Sequence, residues 1–355
     1  MKHESLFSSL SGSAEPGLDG SMRPRPAVRI FRMLRWAAAL AVLAYVVWFL
    51  LRNKSQLASL RNLSAPLLAV LFLVTILNNL LYIFRFRHVV RKKTGLQIPF
   101  RSWVRFFLIS RLFSLMAGQT GNLYRAWVFK KEYSVSIAKF LASALFITWL
   151  DTCLFLLFGA VVIAAAAPHL KLLGLNAAVL ISAVLAVFAV SPLLFSQILN
   201  SVHLSGRLSG WAHQRFAELS SAILTGLKDP VFLLILSSGG LLSFLFSAVV
   251  IFGCFYGLGL PIDPSGVALF LAVLGLCNRI VITPGGNLGI QELAYGFLAE
   301  QLHIGMTEGI LVSLLSRMIA MLVTIGLGLA AGGWHLIKHP SDGSSTNSTP
   351  GSSSV

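Results

Sequence analysis

Long apolar runs alternate with short basic ones along the chain, and that rhythm predicts its architecture. Runs able to cross about 30 Å of hydrocarbon fall near residues 34–51, 66–84, 141–166, 177–199, 231–256 and 308–331. Two further apolar stretches, about 100–135 and 265–300, are each interrupted midway by glycine-rich polar residues. The halves of the second, "GVALFLAVLGLCNRIV" and "LGIQELAYGFLAEQL", are short for a span, so each stretch is expected to enter and leave on one side as a hairpin of two short helices. The predicted fold is all-α: a polytopic membrane protein of about six transmembrane helices plus two re-entrant helical hairpins.

The basic residues orient this scheme. Arg23, Arg25, Arg29, Arg32 and Arg35 precede the first span, and Arg85, Arg87, Arg91, Lys92, Lys93, Arg101 and Arg105 follow the second. Read as cytoplasmic, they put both termini inside by the positive-inside bias. Residues 1–27 and 340–355 are rich in Ser, Gly and Pro and are expected to be disordered tails flanking a membrane domain over 28–339. The first apolar run has the basic flank of a signal peptide but is long and lacks a small-residue cleavage site, which predicts a retained span. In 204–228, Leu208, Trp211, Leu219, Ile223 and Leu227 share a helical face. That segment is either an amphipathic helix on the cytoplasmic surface or a loop helix packed on the protein.

Composition narrows the class. With 56% hydrophobic and 11% charged residues, the chain cannot cover a soluble surface. The net charge of +16 is dispersed between apolar spans, which is topology rather than a nucleic-acid face. Cys153, Cys254 and Cys277 are scattered in apolar segments and read as small buried hydrophobes. His335 and His339 share a face but have no acid nearby. No metal and no cofactor are expected.

The interrupted stretches resemble one another. "SRLFSLMAGQTGNLYRAWVF" and "NRIVITPGGNLGIQELAYGF" each carry an Arg (Arg111, Arg279), then a glycine cluster ending in Gly-Asn-Leu, then a helical run. A buried charge follows in the next span: Asp151 comes 29 residues after Asn122, and Arg317 comes 30 after Asn287. Two such units, about 100–166 and 265–331, entering from opposite faces, form an inverted repeat. That arrangement places a transporter's substrate site near mid-membrane.

The loops suggest the chemistry. Pro284 ends a helix, and Gly285 and Gly286 permit a tight turn. Asn122 and Asn287 are expected to cap the restarted helices, which would aim free N–H groups at an anion. Arg125 adds a bidentate phosphate donor. The expected headgroup site is Arg111, Gly118, Gly121, Asn122, Arg125, Arg279, Pro284, Gly285, Gly286, Asn287, Gly289 and Glu292. For Arg111 and Arg125 the competing reading is snorkelling to the cytoplasmic interface, and for the glycines it is close helix packing. Asp151 with Arg317 is the pair the repeat suggests, and Arg279 can meet Glu292. Either pair is a structural ion pair or a binding or gating device.

Pro284-Gly285-Gly286-Asn287-Leu288-Gly289-Ile290-Gln291-Glu292 resembles the Pro-Gly-rich, Gly-x-x-Glu signature of the lysylphosphatidylglycerol synthase transmembrane domain family, also called the flippase-like domain. Gly121-Asn122-Leu123-Tyr124-Arg125 is similar to that family's Gly-acid-x-x-Arg element, and Asp151 matches its buried Asp. The resemblance covers about residues 35–335. The family often has an acid where Asn122 stands, an Arg at Gln291, and a Glu-Arg pair where this chain has Thr148-Trp149. The resemblance implies transport of anionic or polyprenyl-type lipids between leaflets of a bacterial inner membrane, by a stand-alone member without the synthase domain.

The expected function is therefore a lipid flippase rather than an enzyme, with membrane lipids as partners and no nucleic acid. No ATP-binding motif is present, so movement would be downhill or ion-coupled, with Glu292 and Asp151 as proton carriers. The alternatives are a non-catalytic partner of lipid-pathway enzymes in an envelope-lipid, hopanoid or glycolipid route, and a membrane-embedded lipid-linked glycosyltransferase. The last lacks a DxD site.

Overall fold

The computed structural model describes residues 63–117, 120–135, 137–201, 229–277 and 289–333. The expected first span, the segment 204–228, both tails, the His335/His339 pair and the tip of the second loop lie outside these residues. Among the described residues the protein is an all-α polytopic membrane protein. In chain order the helices are α1 (Ala65–Thr94), α2 (Phe100–Ala117), α3 (Thr120–Tyr133), α4 (Ile137–Ala166), α5 (Ala177–Ser201), α6 (Pro230–Gly257), α7 (Pro264–Cys277), α8 (Ile290–Gln301) and α9 (Met306–Gly328). The one sheet among them is a two-stranded antiparallel ribbon, β1 (Lys171–Leu172) with β2 (Leu175–Asn176), joining α4 to α5.

Among the described residues four helical segments are long and apolar enough to cross a membrane: Ala65–Thr94, Lys139–Ala166, Pro230–Gly257 and Met306–Gly332. Leu73, Leu77 and Phe84 on α1, and Leu234, Leu245 and Phe252 on α6, are exposed. In hydrocarbon, outward apolar side chains with all backbone bonds closed inside the helix are the stable arrangement. The helix ends follow local chemistry. Asp229 caps α6 by accepting the Phe232 N–H at 3.0 Å, with Pro230 in the first turn, as Asp and Pro favour there. Gly95, in the left-handed region, closes α1 behind Arg91, Lys92 and Lys93, which complement the negative end of the helix dipole.

The second expected span ends in sequence near residue 84, yet α1 runs on to Thr94. Arg85, expected to lie in a cytoplasmic loop, is instead 2% exposed inside the protein. Hydropathy stops at the first arginine because it prices Arg as solvated; here a partner and a gap in the facing helix take it in. A Cβ on Gly239 of α6 would sit 2.6 Å from Arg85 Cδ, so a side chain at 239 would occupy the arginine's path.

The two helix pairs cross-pack. α7 lies on α4, and α9 lies on α2, so each short-helix pair contacts the long helix that follows the other pair. An aromatic cluster of Phe86, Trp103, Phe106, Phe107, Phe129 and Phe140 fixes α1, α2, α3 and α4 together. The Trp103 indole within it donates to the Ile83 carbonyl at 3.0 Å, which satisfies its one polar atom.

Candidate functional site

A cavity of about 490 Å³ opens among α1, α2, α4, α6, α7, α8 and α9. That volume lies within the usual range for small-molecule sites. Its α1 wall is Thr75, Asn78, Asn79 and Tyr82, at the 0, 3, 4, 7 spacing that puts residues on one helical face. The motif "TILNNLLY" shows this polar stripe inside an apolar run, and the sequence reading passed over it. Ser243 and Ser247 form the α6 wall, Gln291 comes from α8, and Ser316, Arg317 and Thr324 come from α9. Arg111 and Asp151 complete the charged lining.

Arg111 is the group with the plainest binding chemistry. Its Nη1 donates to Asn79 Oδ1, and its guanidinium lies 5.1 Å from the Tyr82 ring centroid and 5.8 Å from that of Phe107. Asn79 is itself oriented by donating to the Thr75 carbonyl at 2.8 Å. Neither contact neutralises the arginine, so among the described residues this cation faces the cavity without a carboxylate on it. A charge at such depth is costly unless it is used.

The other two charges in the wall are neutralised. Asp151 Oδ1 accepts from Arg85 Nη2 at 2.6 Å, and the same Nη2 donates to the Leu236 carbonyl at 2.9 Å. Arg317 Nε stands 3.1 Å from Glu292 Oε1, an ion-pair contact, and its Nη2 donates to Gln291 Oε1 at 2.9 Å. The expected pairing of Asp151 with Arg317 is thus replaced by two separate pairs. The sequence repeat matched the positions of the two charges but gave no information on partners contributed by α1 and α8. Arg85 and the α1 stripe of Thr75, Asn78, Asn79 and Tyr82 are among the residues the sequence reading missed.

The loop residues separate into those that reach the cavity and those that do not. Arg125 does not line it: its Nε donates to the Gly121 carbonyl at 3.3 Å and its Nη2 to Asn122 Oδ1. Its guanidinium lies over Phe107 at 4.5 Å and Phe86 at 5.4 Å. Cation–π contacts and helix-internal bonds, rather than a phosphate donor's reach, account for it. Asn122 does not stand at the start of its helix, because α3 begins at Thr120; its side chain answers Arg125 instead. Gly121 is a close-approach residue, since a Cβ there would lie 2.1 Å from the Ser110 carbonyl oxygen of α2.

In the second unit Gly289 holds the N-cap position of α8, at φ +92°, a conformation only glycine adopts without strain. Glu292 Oε2 accepts the Gly289 N–H at 2.6 Å. This is the carboxylate half of a capping box, and it places an acid where an anion was expected. Glu292 is 1% exposed and lies behind the cavity wall. Gly118, Arg279, Pro284, Gly285, Gly286 and Asn287 lie outside the described residues, and with them the expected Arg279–Glu292 contact. No group of three His, Cys, Asp or Glu able to hold a metal occurs among the described residues.

A family model described as the lysylphosphatidylglycerol synthase TM region matches residues 36–328. No curated protein and no solved structure matches the chain.

Proposed function

Since the chain belongs to the lysylphosphatidylglycerol synthase transmembrane-region family, we propose that it moves an anionic, phosphate-bearing lipid between membrane leaflets. The observation that carries this reading is Arg111, an unneutralised cation held by Asn79 in the wall of a cavity about 490 Å³ in volume that mixes polar and apolar side chains. A guanidinium offers a phosphate two parallel N–H donors. The lipid's phosphate would sit at Arg111 while its tails remain in hydrocarbon.

In this reading α2–α3 and α7–α8 are re-entrant hairpins. α7 and α8, with 14 and 12 residues, reach about 21 and 18 Å at 1.5 Å per residue, short of the hydrocarbon core. The cross-packing of α7 on α4 and of α9 on α2 supports an inverted repeat. Rocking one unit against the other would open the cavity to each leaflet in turn. The protein acts as a transporter without covalent chemistry, in the bacterial inner membrane with both termini cytoplasmic.

The direct test reconstitutes the full chain in vesicles carrying lipids labelled on an acyl chain, and quenches the outer leaflet with dithionite. Movement of anionic phospholipids above that in empty vesicles is expected. Rates indistinguishable from empty vesicles for every anionic and polyprenyl-phosphate lipid would overturn the reading and leave a pathway partner in its place.

A further inference from the structure

Resting on the transport reading, we infer that the headgroup accepted is a phosphodiester bearing free hydroxyls, a glycerol or a sugar, and not an amine. Charge decides the first part. Among the described residues the charged side chains lining the cavity are Arg111, Asp151 and Arg317. Asp151 is paired with Arg85 and Arg317 with Glu292, and Arg125, which lies over Phe107 and Phe86, is not in the lining. The lining cation left for an anion is therefore Arg111. One phosphodiester matches it. An ammonium needs an unmatched carboxylate, and the one carboxylate in the wall among the described residues, Asp151, already holds Arg85 at 2.6 Å.

The neutral groups decide the second part. Thr75, Thr324 and Ser316 spend their hydroxyl protons on carbonyls of their own helices. Asn78 is different, because it bridges two hydroxyls on α6. Ser243 donates to Asn78 Oδ1 at 2.8 Å, and Asn78 Nδ2 donates to Ser247 Oγ at 3.2 Å. This leaves the Ser247 proton and the Ser243 lone pairs for whatever enters. Gln291 receives Arg317 on Oε1 and keeps its amide hydrogens, while Asp151 keeps Oδ2 beyond the oxygen bonded to Arg85.

The unused set thus mixes donors (Ser247, Gln291) with acceptors (Ser243, Asp151 Oδ2). A hydroxyl both donates and accepts, so it serves either kind; an ammonium only donates, and a trimethylammonium does neither. Asn78 sets the orientation of both serines and is the specificity-determining residue, acting through them.

The experiment reconstitutes the full chain in phosphatidylcholine vesicles with trace acyl-labelled phosphatidylglycerol, phosphatidylinositol, phosphatidylethanolamine or phosphatidic acid, and reads each rate by dithionite quenching per folded protein. Phosphatidylglycerol or phosphatidylinositol should move about three- to tenfold faster than the other two, the factor one or two neutral hydrogen bonds supply. Which of the two leads distinguishes a glycerol head from a sugar head. Ser247→Ala, a minimal change, should narrow the gap by slowing the hydroxyl-bearing lipids and leave phosphatidic acid unchanged; Asn78→Leu should do so further. Phosphatidylethanolamine or phosphatidic acid moving as fast as phosphatidylglycerol overturns this inference and leaves transport standing. A Ser247→Ala protein with an unchanged gap overturns the assignment to the α6 hydroxyls. No lipid moving above empty vesicles overturns both.

Discussion

The two halves share the letters Gly-Asn-Leu, yet the helix near each begins at a different offset from them. In the first half α3 begins at Thr120, two residues before Asn122, so the motif lies inside the helix and packs it against α2. In the second, α8 begins at Ile290, three residues after Asn287 in sequence, and Gly289 is its N-cap. The charges diverge in the same way. Asp151 reaches out of its unit to Arg85 on α1, with the α6 carbonyl of Leu236 as the third member. Arg317 stays within its unit and meets Glu292 and Gln291 of α8. Similar sequence therefore produces one pair that ties three long helices together and another that locks a short helix to the span after it.

Removing one partner of the first pair should give the largest effect. Arg85→Met strands Asp151 in a buried site, and the expected loss is about 3–5 kcal/mol of stability, the cost of an orphaned buried charge. Thermal unfolding in detergent measures it, and hydrogen exchange should rise in α1, α4 and α6 together. The double variant Arg85→Met with Asp151→Leu should recover most of the loss. A single variant as stable as the wild type would mean that Arg85 is not the partner that matters.

The second pair should respond more locally. Glu292→Gln keeps an acceptor for the Gly289 N–H but removes the charge facing Arg317, at an expected cost of about 1–3 kcal/mol. Exchange should rise in α8 and α9 and not in α1. Spread of the effect to α1 and α6 would erase the distinction drawn between the halves.

How much of this was legible in the sequence depends on the residue. Four of the six expected spans and the two short-helix pairs followed from apolar runs and their glycine breaks, since length and hydropathy decide what crosses hydrocarbon. The run at 177–199 forms a helix that is not among the four, and the first run lies outside the described residues. Asp151 and Arg317 stood out because charges inside apolar runs are rare. Their partners did not, because pairing depends on which helices touch, and Arg85 looked like any flanking cation. The polar face at Thr75, Asn78, Asn79 and Tyr82 was legible by spacing alone. Arg125 misled for the opposite reason: an arginine near a glycine loop looks like an anion ligand until Phe86 and Phe107 are found beneath it.

The smallest effect sharpens the contrast between buried and exposed ties. Lys92 at the end of α1 meets Asp229 at the start of α6 at 2.7 Å, so the elements joined by Arg85 in the interior are also joined at the surface. The Lys92 hydrogen bond first, then the Phe232 N–H, holds the Asp229 carboxyl below its ordinary range. A carboxyl lowered in the folded state stabilises above its unfolded pKa of about 3.9, and that contribution disappears as pH falls through the folded value. The melting temperatures of wild type and Asp229→Asn should therefore differ slightly and constantly above about pH 5, and converge on acidification below about pH 4. A difference that grows in acid would contradict the sign.

The most direct measurement compares the two arginines of the first half. Lipid movement by Arg111→Gln and by Arg125→Met is read in the same vesicles and normalised to folded protein. Arg111→Gln should slow movement of an anionic phospholipid at least about tenfold, as loss of a charge-assisted hydrogen bond of about 1.5–3 kcal/mol requires, with little change in melting temperature. Arg125→Met should lower the melting temperature and leave the rate per folded protein near that of the wild type. The reverse pattern, an intact rate in Arg111→Gln and a lost one in Arg125→Met, would contradict the placement of the phosphate at the cavity arginine.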